Sequence, residues 1–144
     1  MSRVVQLVVI GCLLGALMGC GEYYDAESFA GIYTPTSFVN SYDTIMFEPD
    51  GTYQRTVHDS LGNMVKTYIG SWTIRGGHEI SIGYFFLNLD YDLARYPEAA
   101  MDSSMHITMQ IRDINGNTGF CVGYLPGEYC YKRITRATST RRPE

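Results

Sequence analysis

The sequence predicts an all-β domain, an antiparallel meander of about eight strands. Two features of composition and one of pattern point there. Twelve tyrosines, six phenylalanines and many threonines and β-branched residues are strand formers. Glycine-containing turns recur about every ten to twelve residues, and several segments alternate apolar with polar side chains. In order, the strands are expected at Ser28 to Thr34, Thr44 to Glu48, Thr52 to His58, Met64 to Ile74, Glu79 to Leu87, a segment around Ile107, Met109 and Ile111, Thr118 to Gly123, and Glu128 to Ile134. Pro49-Asp50-Gly51 turns the second strand into the third, and Ser60-Leu61-Gly62-Asn63 the third into the fourth. Gly70 marks a bulge or bend in the long fourth strand. Arg75-Gly76-Gly77 leads into the fifth, where Ile80, Ile82 and Tyr84 are expected to face one way and Ser81 and Gly83 the other. Asn115-Gly116 is the strongest short hairpin signal in the chain. A meander of this length must curl or split to bury its inner face, and closure removes exposed edges. An up-and-down barrel or strongly coiled sheet is therefore expected ahead of the alternative, a β-sandwich.

The N-terminus carries a different signal. Arg3 precedes an apolar run of 15 residues, Val4 to Met18, shorter than the roughly 20 that a membrane-crossing helix needs and matched to the apolar core of a signal peptide. The closing residues Leu17-Met18-Gly19-Cys20 resemble the lipobox of bacterial lipoproteins. That resemblance implies removal of residues 1–19, lipidation of Cys20, and membrane anchoring through its acyl chains. Gly21 rather than Asp after the cysteine implies the outer membrane, with the domain facing the periplasm. An ordinary secretory signal cut elsewhere and a short uncleaved anchor are the competing readings. The expected organisation is a signal peptide (1–19), a short acidic tether (20–27), one β domain (28–134) and an unpacked basic tail (135–144).

Four cysteines occur, at 12, 20, 121 and 130. With Cys12 in the leader and Cys20 lipidated, Cys121 and Cys130 remain as a disulfide pair. A hairpin with the four loop residues Tyr124 to Gly127 sets these two positions opposite each other, and no CxxC spacing points to redox or metal chemistry.

Charge narrows the partners. The chain has 11 basic and 15 acidic residues, so loss of Arg3 leaves 10 − 15 = −5; residues 20–134 hold 7 basic and 14 acidic side chains, a balance of −7. That excludes a typical nucleic-acid binder, which needs a basic face, and favours a basic partner. Simple solubility accounts for the same balance.

Phe47-Glu48-Pro49-Asp50-Gly51-Thr52-Tyr53, followed by Gly70-Ser71-Trp72, resembles the F-x-x-D-G-T-Y…G-x-W pattern of small bacterial lipocalin-like domains. The likeness covers about 26 residues and implies a barrel; it carries no binding residues with it. Where that family has a glycine before a tryptophan on the first strand, this chain has Gly31-Ile32-Tyr33.

Catalytic and metal motifs are weak. His58, Asp59 and Ser60 are the residue types of a hydrolase triad, but side chains adjacent in sequence diverge instead of forming a relay. His58, His78 and His106 fall on or beside three strands and are read as independent surface residues. Asn88, Asp90 and Asp92 begin like a calcium loop, yet Leu93 stands where glycine is required and Ala99 at the twelfth position. No metal, cofactor or catalytic residue is assigned, and the protein is expected not to be an enzyme. The long connection Asn88 to Ser103 is the exception to the short turns. Asp90, Tyr91, Asp92, Arg95, Tyr96 and Glu98 give it aromatic and charged contact surface, the makings of a partner-binding loop; a lid folded onto the core is the other reading. The expected function is thus a membrane-anchored periplasmic protein-binding module, such as an inhibitor or immunity protein against a basic periplasmic enzyme. Lipocalin-like binding of a small apolar ligand and a structural envelope role are the alternatives.

Overall fold

The computed structural model describes residues 22–36, 41–85, 105–122 and 129–136. A one-turn helix, α1 (Ala26–Phe29), leads into eight strands: β1 (Gly31–Pro35), β2 (Ser41–Phe47), β3 (Thr52–Asp59), β4 (Met64–Arg75), β5 (Glu79–Gly83), β6 (His106–Asp113), β7 (Thr118–Cys121) and β8 (Cys130–Arg136). Each strand pairs antiparallel with the next, and β8 pairs back onto β1, so the meander closes into a barrel. The expected all-β meander is observed in its barrel form, not as a sandwich.

Local chemistry explains the turns. At Ile114 to Asn117, two reciprocal backbone bonds of 2.7 and 3.2 Å close a two-residue hairpin, with Asn115 and Gly116 both at positive φ, 55° and 78°, as a type I′ turn requires. In the β2–β3 turn, Asp50 accepts bonds from the Thr52 amide and hydroxyl. The Trp72 indole N–H donates to the Glu48 and Thr52 carbonyls at 3.0 and 2.8 Å, and the Trp72 amide donates to the Gly51 carbonyl. The F-x-x-D-G-T-Y…G-x-W residues therefore form one structural unit, a turn clamped from inside by a tryptophan.

Several details differ from the sequence reading. β2 begins at Ser41, before the expected Thr44, and β8 runs to Arg136, so the first two residues of the expected unpacked tail pair with β1. The first expected strand begins later: Asp25 caps α1 in a reciprocal box with Ser28, and Tyr24 and Phe29 are buried, so part of the expected tether packs with the barrel. Gly70 sits in regular register opposite Tyr53. A Cβ there would overlap the Tyr53 ring, so the glycine permits a close approach, and the register shift lies instead at Val57/His58. The chain does change partner at this point, since β4 pairs with β3 through Ser71 and with β5 from Trp72. The fifth strand ends at Gly83; Tyr84 adopts φ 59°, which breaks the expected alternation and turns Phe85 into the core.

Inward positions build a core of aromatic rings. Phe29 stacks on Tyr33 at 5.0 Å and meets Trp72 at 5.4 Å, while Phe47 meets Trp72 at 5.2 Å and Phe120 at 6.0 Å. Ile45, Ile80 and Ile82 fill the spaces between them. The outer face of β3 and β6 is largely polar, with Gln54, Thr56, Thr108 and Gln110. A barrel that spans a bilayer has the reverse arrangement, apolar outside and polar within.

Candidate functional site

The barrel has two unlike ends. One, the base, is made of α1 and the short turns 48–51, 76–78 and 114–117. The other, the rim, carries the β3–β4 hairpin and the connections β1–β2, β5–β6 and β7–β8. The expected partner-binding loop, with Asp90, Tyr91, Asp92, Arg95, Tyr96 and Glu98, belongs to the β5–β6 connection and lies outside the described residues, as does Cys20. What the topology fixes is that this connection leaves from the rim.

Below the rim, the barrel interior holds a charged cluster. Alternation along β2 turns Asp43 inward with Ile45 and Phe47, and alternation along β3 turns Arg55 inward with Tyr53 and Val57. Arg55 and Asp43 are each 2% exposed, and Arg55 Nε donates to Asp43 Oδ2. The Tyr131 hydroxyl lies 3.0 Å from both Asp43 carboxylate oxygens and 3.4 Å from Arg55 Nη2. The face of Phe85 packs against the guanidinium, 4.5 Å from ring centroid to Cζ. Burial disfavours the Arg55 charge, but Asp43 and then Tyr131 more than reverse this, raising the guanidinium above its ordinary value. Burial, followed by the Asp43 charge, likewise holds the Tyr131 phenol protonated. A buried charge pair costs several kcal/mol per ion in desolvation, recovered only when each partner is satisfied. Here the carboxylate, guanidinium and phenol are hydrogen-bonded to one another.

The residues singled out for chemistry do not assemble. His58 stacks on Tyr42 at 5.0 Å on the outer face. Asp59 accepts bonds from the Leu61 and Asn63 amides and from the Asn63 side chain, so it organises the Ser60–Asn63 turn. His78 Nδ1 is 2.7 Å from the Gly76 carbonyl oxygen, in a turn at the base, whereas His106 starts β6 at the rim. Among the described residues, no three His, Cys, Asp or Glu side chains come together in a metal-binding group. Cys121 and Cys130 are joined by a disulfide in direct register between β7 and β8, as the spacing predicts. It ties the rim beside Tyr131.

Sequence reasoning missed the Asp43–Arg55–Tyr131 cluster, although a signal existed: two consecutive strands each place an opposite charge on their apolar face. It also missed the exposed apolar residues of the rim. Leu61 is 84% exposed at the hairpin tip, with Met64, Val65 and, just before β6, Met105 also exposed. Ile69 continues the exposed apolar residues down β4.

Comparison with family models, curated proteins and solved structures finds no match. Among the described residues, no helix is long and apolar enough to cross a membrane.

An apolar-ligand carrier needs free lumen, yet rings meet across it: Phe47 of β2 reaches Phe120 of β7 at 6.0 Å, Phe85, after β5, reaches Tyr131 of β8 at 6.1 Å, and Phe29 of α1 lies 6.4 Å from Phe120. This filling is the usual state of a small eight-stranded barrel and weighs against the carrier reading. The rim, by contrast, combines exposed apolar side chains with an acidic connection.

Proposed function

We propose that the protein is a lipid-anchored envelope lipoprotein, held at the outer membrane by acylated Cys20, that acts as a non-enzymatic binding module. Its rim docks a basic periplasmic protein, in the manner of an inhibitor or immunity protein. The observation that carries this reading is the exposed apolar trio Leu61, Met64 and Val65 on the β3–β4 hairpin, at the rim of a barrel whose lumen is filled. Monomeric proteins spend exposed apolar surface sparingly, and concentrated patches mark contact sites. Charge supports a basic partner. Residues 86–104 hold Asp90, Asp92, Glu98 and Asp102 against Arg95, so they contribute 1 − 4 = −3 of the −7 carried by residues 20–134. Acidic side chains around an apolar centre steer a basic partner and tune specificity.

Site-specific photo-cross-linking of the full lipidated chain in intact envelopes tests this. A cross-linker at Leu61 or Met64 is expected to trap a discrete basic protein, and one at Asn117, on the base, to trap none of it. The same adduct from all three positions overturns the rim assignment. Deleting Asp90 to Glu98 is expected to weaken capture with the barrel intact, and unchanged capture removes the loop from the site.

A further inference from the structure

β4 is longer than the strand beside it. Its twelve residues pair with β3 from Met64 to Ser71, but β5 accompanies it only from Trp72 to Arg75. β5 ends at Gly83, where Tyr84 adopts φ 59° and sends Phe85 into the core. The barrel therefore closes through the lower part of β4. Towards the rim, β4 has a strand on one side only among the described residues.

One hydrogen bond gives the direction of the backbone. The Trp72 amide donates to the Gly51 carbonyl, on the β3 side. Backbone groups along an antiparallel strand point alternately to its two neighbours. Those of Tyr68 and Gly70 thus also face β3, and those of Thr67, Ile69 and Ser71 face the other way. Side chains alternate in the same rhythm: Tyr68 and Trp72 are buried, whereas Thr67, Ile69 and Ser71 stand on the outer face, with Ile69 71% exposed. Thr67 and Ile69 therefore offer N–H and C=O groups along an open edge, beside exposed β-branched side chains. The chemical complement of such an edge is another strand.

Charge and symmetry select which strand. Between Ser60 and Ile74 the only charged residue is Lys66, whose ammonium lies over the Tyr68 ring, 5.4 Å from its centroid. Residues 20–134 carry a balance of −7, yet this stretch has no carboxylate, so a second copy meets it without acid facing acid. An antiparallel two-fold arrangement about Tyr68 sets Thr67 of each copy opposite Ile69 of the other, and Lys66 opposite Gly70. No like charges meet, and the β-branched outer row continues across the join.

We infer that the rim-side edge of β4 pairs with the same edge of a second copy, joining two barrels into a symmetric dimer through the backbones of Thr67 and Ile69. The dimer does not depend on the rim docking another protein, and its test contains none.

The test follows the full chain in a mild detergent by sedimentation equilibrium and by amide hydrogen exchange resolved residue by residue. A monomer–dimer equilibrium is expected. The Thr67 and Ile69 amides are expected to exchange fast in dilute protein and to slow as the dimer forms. Thr67→Pro removes an edge donor where proline is tolerated, and is expected to raise the dissociation constant roughly thirtyfold, one N–H being lost from each copy. Ile69→Lys is expected to raise it roughly tenfold by removing the aliphatic contacts of the outer face. Asn117→Lys adds the same charge at the base and is expected to leave it unchanged. If Thr67→Pro disturbs the strand, Ile69→Lys decides alone, since its side chain lies on the outer face. A protein that is monomeric at every concentration, with both amides in fast exchange throughout, overturns the inference. So does a dimer that Ile69→Lys leaves as tight as the parent. Equal protection of both amides in the dilute monomer shows the edge already paired within one chain, and overturns it as well.

Discussion

Arg55 and Asp43 are bound to each other's fate. Removing one partner leaves the other charged and buried, which costs about 3–5 kcal/mol, whereas replacing both with apolar groups of similar volume is often nearly neutral. Arg55→Met and Asp43→Asn are therefore each expected to lower unfolding free energy in urea by that amount. The double variant Asp43→Leu/Arg55→Met is expected to recover most of the loss. Tyr53 makes a second residue-scale prediction. Its hydroxyl donates to the Gly83 and Tyr84 carbonyls, and burial, opposed by the Arg55 charge, raises its pKa from 10.0 to about 12. Between those values the unfolded chain loses this proton while the folded chain keeps it, so stability is complete below pH 10 and falls as pH rises towards 12. Thermal melts should show this decline in the parent. Tyr53→Phe should start about 1 kcal/mol lower and decline less steeply, the remainder coming from Tyr33 and Tyr131, whose burial also keeps them protonated.

Among the elements, the β7–β8 hairpin carries a covalent constraint. Cys121 and Cys130 are nine positions apart, and on a loop-entropy account a ten-residue ring stabilises by roughly 2.7 kcal/mol. Cys121→Ser/Cys130→Ser is expected to lose about that much in urea unfolding, and since Tyr131 adjoins the disulfide, the loss should not add simply to that of Asp43→Asn. This hairpin was legible from spacing alone, as were the Asn115-Gly116 turn and most strand boundaries, because turn chemistry is local. The helix α1 was not read, although Asp25-Ala-Glu-Ser28 has the spacing of a capping box; four acidic or small residues in a row, Asp25 to Ser28, resemble a tether until Phe29 is seen to be buried. The buried ion pair was missed for a related reason. Strand alternation puts Asp43 and Arg55 on apolar faces, but only the β2–β3 register, with Asp43 opposite Val57 and Ile45 opposite Arg55, makes them neighbours. The connection Asn88 to Ser103 was singled out by composition and lies outside the described residues; the topology fixes only that the β5–β6 connection leaves from the rim.

For the whole molecule, polarity along the barrel axis is the organising property. Aromatic rings and α1 plug the base, the charged cluster occupies the upper lumen, and exposed apolar residues mark the rim. The β1–β8 seam sets a further condition. Gly31 pairs with Arg136, and this long-range closure is the slow kind of contact in folding. A chain emerging from its N-terminus holds seven strands with two unpaired edges until the last one arrives, and such edges recruit other chains. The final strand therefore acts as a latch: until it has paired with β1, the protein is a sticky sheet, and only afterwards a finished barrel.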